Sequence, residues 1–128
     1  MERISGFRRA AAKGSVIVIS SIGAVKATIA NPAYAASKAG AAQLVKALAL
    51  AWAGEGIRVN GIAPGLVETG MTRVTTEHPE RRQRALAKVP LGRFGTADDM
   101  AGVALFLASP LAAFVTGQTI IADGGVTL

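Results

Sequence analysis

The sequence has no cysteine among its 128 residues and a single histidine, His78. Without cysteine there is no disulfide framework and no metal site built from thiolates, and one histidine cannot hold zinc by itself. We therefore expect no metal centre. Aromatic residues are also scarce, at 5%, although 51% of the chain is hydrophobic. A core must then be built from small aliphatic side chains and close backbone approach.

Long apolar runs are missing as well. No stretch approaches the ~20 consecutive apolar residues of a membrane-spanning helix. We therefore expect no membrane partner and, by default, a cytoplasmic location. The length suits one domain, residues 1–128.

Acidic residues are outnumbered by basic ones, 8 to 14, which gives a net charge of +6. Much of the positive charge falls in one stretch, at Arg73, Arg81, Arg82, Arg84, Lys88 and Arg93. Such a stretch can attract nucleic acid, a phosphorylated ligand or an acidic partner surface. It carries no interleaved aromatic residues and no recognised nucleic-acid motif. A solvated helix face is therefore the favoured interpretation, and no nucleic-acid partner is expected.

Hydrophobic patterning predicts alternating strands and helices. The β-branched run Val16–Ile19 is typical of a strand buried on both faces. Asn31 suits the N-cap, and Pro32 the first turn, of a largely apolar helix that ends near Ala53. The other predicted elements are helices at 2–12, 77–88 and 97–108, strands at 57–62 and 119–122, a mobile loop at 66–75 and a turn at 123–125. This alternation predicts an α/β fold with a parallel sheet.

Tyr34 and Lys38 carry the most informative spacing in the chain. Four residues apart in a helix, a phenol and an ammonium lie on one face. A free tyrosine titrates near ~10, and a nearby cation lowers that pKa toward a range useful for proton transfer. The pair is a weak signal alone, but two further motifs accompany it. Ser20-Ser21 ends the preceding apolar run, and residues 60–65, Asn-Gly-Ile-Ala-Pro-Gly, end the next.

In this order the motifs resemble the short-chain dehydrogenase/reductase family, in particular members similar to 3-oxoacyl-(acyl-carrier-protein) reductase. Residues 14–21 resemble the family's fifth strand, 34–38 its active-site helix, 58–65 its sixth strand with a Pro-Gly turn, and 116–125 its last strand. The resemblance implies the C-terminal half of a doubly wound Rossmann-type parallel sheet, with three strands and flanking helices. It also implies an oxidoreductase that interconverts a small-molecule carbonyl and an alcohol with NAD or NADP.

The resemblance assigns roles to individual residues. Tyr34 would be the general acid/base, Lys38 its pKa modulator and a donor to the nicotinamide ribose, and Ser21 the donor to the substrate oxygen. The spacing to Tyr34 favours Ser21 over Ser20. The implied cofactor-binding set is Tyr34, Lys38, Pro64, Gly65, Val67 and Thr69, and residues 71–90 match a variable substrate lid. The structural alternatives are surface residues for Tyr34 and Lys38, a local backbone cap for Ser21 and a plain turn at 64–69. Asn60 is interpreted as bonding to backbone, not as a catalyst.

The glycine-rich phosphate turn of the family is absent from these residues. No G-x-x-x-G-x-G follows a first strand, and no acidic residue ends a second strand to hold a ribose hydroxyl. No asparagine precedes Ser21 to complete the family's catalytic set. We therefore expect the chain to correspond to the C-terminal half of the family. By itself it should bind NAD or NADP weakly or not at all, with a Kd no tighter than about 1 mM.

Three functional interpretations remain open at this point. The chain is the catalytic half of an active oxidoreductase, a truncated relative that self-associates without catalysis, or a hydrolase that uses Ser21, Tyr34 and Lys38. A homo-oligomer, in its simplest form a dimer, is expected. It would form by pairing of the strand at 16–19, which lacks a neighbouring strand, or by packing of the helix at 32–53, which lacks a partner helix.

Overall fold

The computed structural model describes residues 13–27 and 29–128, without the side chains of Met71 and Val74. The strands and helices in this part are β1 (Gly14–Ile19), α1 (Pro32–Trp52), β2 (Ile57–Pro64), α2 (Arg73–Thr76), α3 (Pro79–Leu86), α4 (Ala97–Ala108) and β3 (Thr119–Ala122). Short 3₁₀ turns lie at 22–24, 53–55, 70–72 and 110–112. The helix predicted at 2–12 lies outside the described residues.

The three strands form one parallel sheet in the order β1-β2-β3. β1 pairs with β2 so that Ile19 lies opposite Ile62, and β2 pairs with β3 so that Pro64 lies opposite Ala122. The predicted three-stranded sheet is therefore confirmed. Because parallel strands end at the same edge, the chain segments that follow each strand meet there, which is where open α/β sheets bind ligands.

Helix α1 covers one face of the sheet. Its buried residues Val45, Ala49 and Trp52 pack on Ile57 and Val59 of β2. These positions recur three or four residues apart on the helix and two apart on the strand, as the two periodicities require. The opposite side of α1 leaves Leu44 and Leu50 exposed, so the helix is buried on one side only.

Helix α4 covers the other face. Its buried Leu107 packs against Ile62, whose side chain points away from α1, together with Ala112 of the following 3₁₀ turn. Thr96 caps the helix: its hydroxyl accepts a hydrogen bond from the Asp99 amide, and the Asp99 carboxylate accepts one from the Thr96 amide. Helices on both faces give the doubly wound arrangement.

The segment after β2 differs from its prediction. A mobile loop was predicted over 66–75, but the structure has a 3₁₀ turn at 70–72 followed by helix α2. Thr72 explains why this segment is structured. Its Oγ1 accepts a hydrogen bond from the Thr69 amide at 2.9 Å and donates one to the Val67 carbonyl at 2.8 Å. A threonine hydroxyl can order a loop by bonding to nearby backbone groups, and the sequence pattern does not predict this role for Thr72.

Candidate active site

Tyr34 and Lys38 lie in the first two turns of α1, at the carboxyl edge of the sheet. The Asn31 side chain caps the helix by accepting a hydrogen bond from the Tyr34 amide at 3.1 Å. The Lys38 Nζ lies 5.6 Å from the centroid of the Tyr34 ring and donates to the Ile19 carbonyl at 3.2 Å. Lysine is thereby fixed between the end of β1 and the tyrosine ring, as the spacing predicts.

The two adjacent serines at the end of β1 have different partners. Ser20 is buried, and its Oγ donates to the Lys38 carbonyl at 2.8 Å, so it ties the strand to α1. Ser21 is half-buried, and its Oγ accepts a hydrogen bond from the Gly23 amide at 3.1 Å. A hydroxyl that accepts from a backbone amide keeps its own hydrogen for another acceptor. The Ser21 hydroxyl therefore caps the following 3₁₀ turn, and its own hydrogen is donated to no acceptor among the described residues.

Gly23 shows that Ser21 and Tyr34 border the same space. A Cβ added at Gly23 would lie 3.5 Å from the Ser21 Oγ and 3.7 Å from Cε1 of Tyr34. Tyr34 is 39% exposed, so its ring is open to a ligand on this side. The structure thus brings together Ser21, Tyr34 and Lys38, the three predicted catalytic residues.

The Pro64-Gly65 turn is fixed by close packing against the end of β3. A Cβ at Gly65 would approach the Asp123 Cβ to 2.6 Å, so a larger residue there must displace one of the two chains. Asp123 closes its own turn by accepting from the Gly125 and Thr127 amides. Burial acts to raise the pKa of Asp123, but the hydrogen bonds from Thr127 and Gly125 outweigh it and lower that pKa. Asp123 thus stays ionised and holds the turn.

Val67 and Thr69 follow this turn, and Val67 forms an isolated parallel bridge with Gly95. Its carbonyl accepts from Thr72, whereas its amide donates to no acceptor among residues 13–27 and 29–128. Val67 is a half-buried residue, and an amide that has no partner among the described residues is suited to a ligand oxygen such as that of a carboxamide. This part of the site therefore fits the nicotinamide end of a dinucleotide.

Other kinds of site are not found in the described part of the chain. No three His, Asp or Glu side chains there cluster closely enough to hold a metal ion. Among its helices, none has the length and apolar character needed to cross a bilayer. A groove of about 500 Å³ lies beside the catalytic edge, against α4 and β3, and is lined by Leu91, Met100, Val103, Ile121 and Leu128 among others. The three catalytic candidates do not line it.

A family model described as enoyl-(acyl carrier protein) reductase matches residues 5–127. The chain belongs to the short-chain dehydrogenase/reductase family. Among the curated members similar to it, a 2-dehydro-3-deoxy-D-gluconate 5-dehydrogenase of Pseudoalteromonas atlantica is 44% identical over 88% of this chain and 44% of its own length. A 3-oxoacyl-(acyl-carrier-protein) reductase of Thermotoga maritima is also 44% identical, over 90% of this chain and 46% of its own length.

Solved structures of short-chain dehydrogenases/reductases share the fold. The gluconate 5-dehydrogenase of Burkholderia cenocepacia, in complex with NADP and tartrate, has a TM-score of 0.89 and 36% identity over 98% of this chain and 49% of its own. A 7α-hydroxysteroid dehydrogenase complexed with NADH and 7-oxo glycochenodeoxycholic acid has a TM-score of 0.85 and 38% identity. The match covers 92% of this chain and 46% of the dehydrogenase chain. The chain therefore spans about half the length of the relatives it matches.

Two residues that order the site were not singled out in the sequence. Thr72 fixes the loop at Val67 and Thr69, and Asp123 fixes the turn against Gly65. The threonine in Thr69-Gly-Met-Thr72 and the aspartate in Asp123-Gly-Gly are both common in turns, because their side chains bond nearby backbone. That signal indicates a turn, but it does not reveal which other segment the turn contacts.

Proposed function

We propose that this chain is the catalytic half of an NAD(P)-dependent oxidoreductase that interconverts a small-molecule carbonyl and its alcohol. One observation carries the proposal. At the ligand-binding edge of the sheet, the Lys38 ammonium lies 5.6 Å from the Tyr34 ring centroid, and the Ser21 hydroxyl borders the same space as that ring. The family match over residues 5–127 supports the same reaction class.

Each residue has a definite task in this proposal. The bound nicotinamide supplies or takes up the hydride. Tyr34 holds the proton at its Oη that passes to or from the substrate oxygen. Ser21 donates its remaining hydrogen to that oxygen, where negative charge develops during carbonyl reduction. Lys38 keeps a positive charge beside the phenol and has further N–H donors for a ribose hydroxyl.

The related structures support the choice of cofactor in this proposal. The related structures hold NADP in one case and NADH in another, so the proposal includes both and no preference between them. Val67 and Thr69 would hold the carboxamide. For the assembly we propose a homo-oligomer, because within residues 13–27 and 29–128 β1 and β3 are the end strands of the sheet and the outer edge of each pairs with no other strand.

A non-catalytic, self-associating protein is the second candidate. It is favoured by the exposed leucines of α1, Leu44 and Leu50, which offer an apolar surface to a second copy of the chain. Hydrolysis is less well supported. The Ser21 Oγ bonds the Gly23 amide and the Lys38 Nζ bonds the Ile19 carbonyl, so the described contacts do not connect the hydroxyl to a base.

The proposal is tested by substituting Tyr34. With NADPH or NADH and a panel of ketones, any reduction by the chain should fall at least about 100-fold in Tyr34→Phe, since the proton donor is lost. Ser37→Ala is the matched control, because Ser37 lies one turn along the same helix and donates only to the Tyr34 carbonyl. Unchanged turnover in Tyr34→Phe would overturn the mechanism, and no turnover by any variant would favour the second candidate.

A further inference from the structure

The segment between β2 and α4 leaves the sheet and returns to the point where it began. Its start and its end are joined by two backbone hydrogen bonds of 2.9 Å, from the Gly95 amide to the Leu66 carbonyl and from the Glu68 amide to the Gly95 carbonyl. The base of the segment is therefore held by main-chain pairing. Helices α2 and α3 lie in between, outside this pairing.

Helix α3 has little apolar attachment of its own. None of its eight residues is buried, and Ala85 and Leu86 are only half-buried. A short, polar helix of this kind is marginal without tertiary contacts. Something other than a hydrophobic face must hold it in place.

Arg82 of α3 reaches back to the base of the segment. Its Nη1 lies 2.6 Å from Oε1 of Glu68, and its guanidinium carbon lies 4.9 Å from the centroid of the Phe94 ring. Phe94 is only 5% exposed, so a ring fixed in the core supports the guanidinium plane. Arginine binds a carboxylate and stacks on an aromatic face at once, which lysine does not do equally well.

Two other arginine–carboxylate pairs begin and end within the helical part of this segment, whereas Arg93 pairs with Asp99 of α4. Arg73 pairs with Glu77 at 3.9 Å and Arg84 pairs with Glu80 at 3.3 Å, each four residues along and largely exposed. The side chains of those two pairs are 68–86% exposed, whereas those of Arg82 and Glu68 are 44% and 46% exposed, and a more exposed ion pair contributes less. Arg82 is distinguished by joining α3 to the loop that follows β2.

We propose that Arg82 is a positioning residue, which latches α3 onto Glu68 and Phe94 and so fixes the loop that carries Val67 and Thr69. Glu68 stands directly between those two residues. That this loop binds a nicotinamide rests on the proposed function. The contact of Arg82 with Glu68 and Phe94 does not depend on it. Release of Arg82 frees α3 and loosens Glu68 and its two neighbours together.

The latch is tested by hydrogen exchange of the full chain without ligand. In Arg82→Gln we expect amide exchange across residues 68–86 to accelerate about tenfold, because the variant loses both an ion pair and a cation–π contact. Arg84→Gln is the matched control on the same helix and should change exchange less than about twofold. Arg82→Lys should fall between the two. Equal exchange in Arg82→Gln and Arg84→Gln would overturn the proposal.

A second arm separates the latch from the proposed function. We would titrate nicotinamide mononucleotide and follow the amide resonances of Val67 and Thr69. The wild-type chain and Arg84→Gln should show equal affinity, and Arg82→Gln an affinity lowered severalfold. If these resonances do not move in the wild-type chain, the nicotinamide assignment fails, while the exchange experiment still decides the latch.

Discussion

Asn60, in the middle strand, connects β2 to the chain that enters β3. It is fully buried, and its side chain makes two hydrogen bonds, a donation to the Val115 carbonyl at 2.9 Å and an acceptance from the Gln118 amide at 3.1 Å. Asn60→Ala removes the partner of the Gln118 amide and leaves the Val115 carbonyl with only the long bond from Arg58 Nη1, at 3.5 Å. We expect the free energy of unfolding in urea to fall by about 2–4 kcal/mol.

Gln118→Ala provides the control for this prediction. The Gln118 side chain is exposed and makes one long bond to the Thr116 carbonyl, at 3.4 Å, while its backbone amide is retained in the variant. Its effect should stay within about 0.5 kcal/mol. A loss of similar size in both variants would show that the Asn60 side chain does not hold this segment.

Single residues were predictable where their partners lie nearby in sequence. Tyr34 and Lys38 meet because a helix brings residues four apart together, and Asn31 caps that helix for a similarly local reason. The bond of Ser20 to the Lys38 carbonyl is a contact across the fold, whereas the Ser21 cap is local; in the sequence, only the motif spacing favours Ser21 over Ser20 as the candidate donor. Arg82 was predicted as part of a solvated basic face, and its stacking on Phe94 depends on packing that no local pattern reports.

Helix α4 carries its own pH-dependent cap. The Asp99 carboxylate accepts from both Arg93 Nη atoms, at 2.7 and 2.9 Å, and from the Thr96 amide and hydroxyl. The Arg93 bond above all, and then those from Thr96, hold the pKa of Asp99 well below its usual range. A depressed folded-state pKa stabilises the fold above the ordinary value near ~3.9, and this stabilisation is lost as the pH falls toward the folded-state pKa.

We therefore expect Asp99→Asn to destabilise the chain at neutral pH and to match the wild type more closely as the pH falls below about 4. Urea unfolding at a series of pH values measures the difference. Asp98→Asn changes the neighbouring carboxylate of the same first turn, for which no ion pair is found among the described residues, and should show a smaller effect. A gap between wild type and Asp99→Asn that is constant with pH would contradict the assignment.

At the level of elements, the strands and long helices were predictable and the segment after β2 was not. The predictable elements are those whose apolar residues recur with the period of a strand or a helix, because these residues pack in the clusters on the two faces of the sheet. They are β1, β2, α1 and α4. Helix α2, with four residues, is too short to show any period, and its order comes from Thr72 and from the pairing at Gly95. The predicted helix at 77–88 is present as α3, at 79–86.

For the molecule as a whole, the parallel sheet with helices on both faces follows from the order of the motifs and is confirmed. The oligomeric state does not follow from the order of the motifs, because it depends on exposed surfaces and not on the core. The side of α1 away from the sheet exposes Leu44 at 50% and Leu50 at 85%. No strand in the described part of the chain pairs with the outer edge of β1, and a strand edge of this kind tends to find a partner.

The last prediction is that the chain forms a dimer through α1 or the edge of β1. Light scattering at tens of micromolar should give twice the 13.0 kDa chain mass. If α1 packs on its copy, Leu44→Lys should weaken association at least about tenfold, because a charge replaces a leucine that the dimer contact would bury. Leu111→Lys, an exposed leucine beyond α4, should leave the dimer intact. A stable monomer would contradict the prediction, whereas a dimer that resists Leu44→Lys would place the contact at β1.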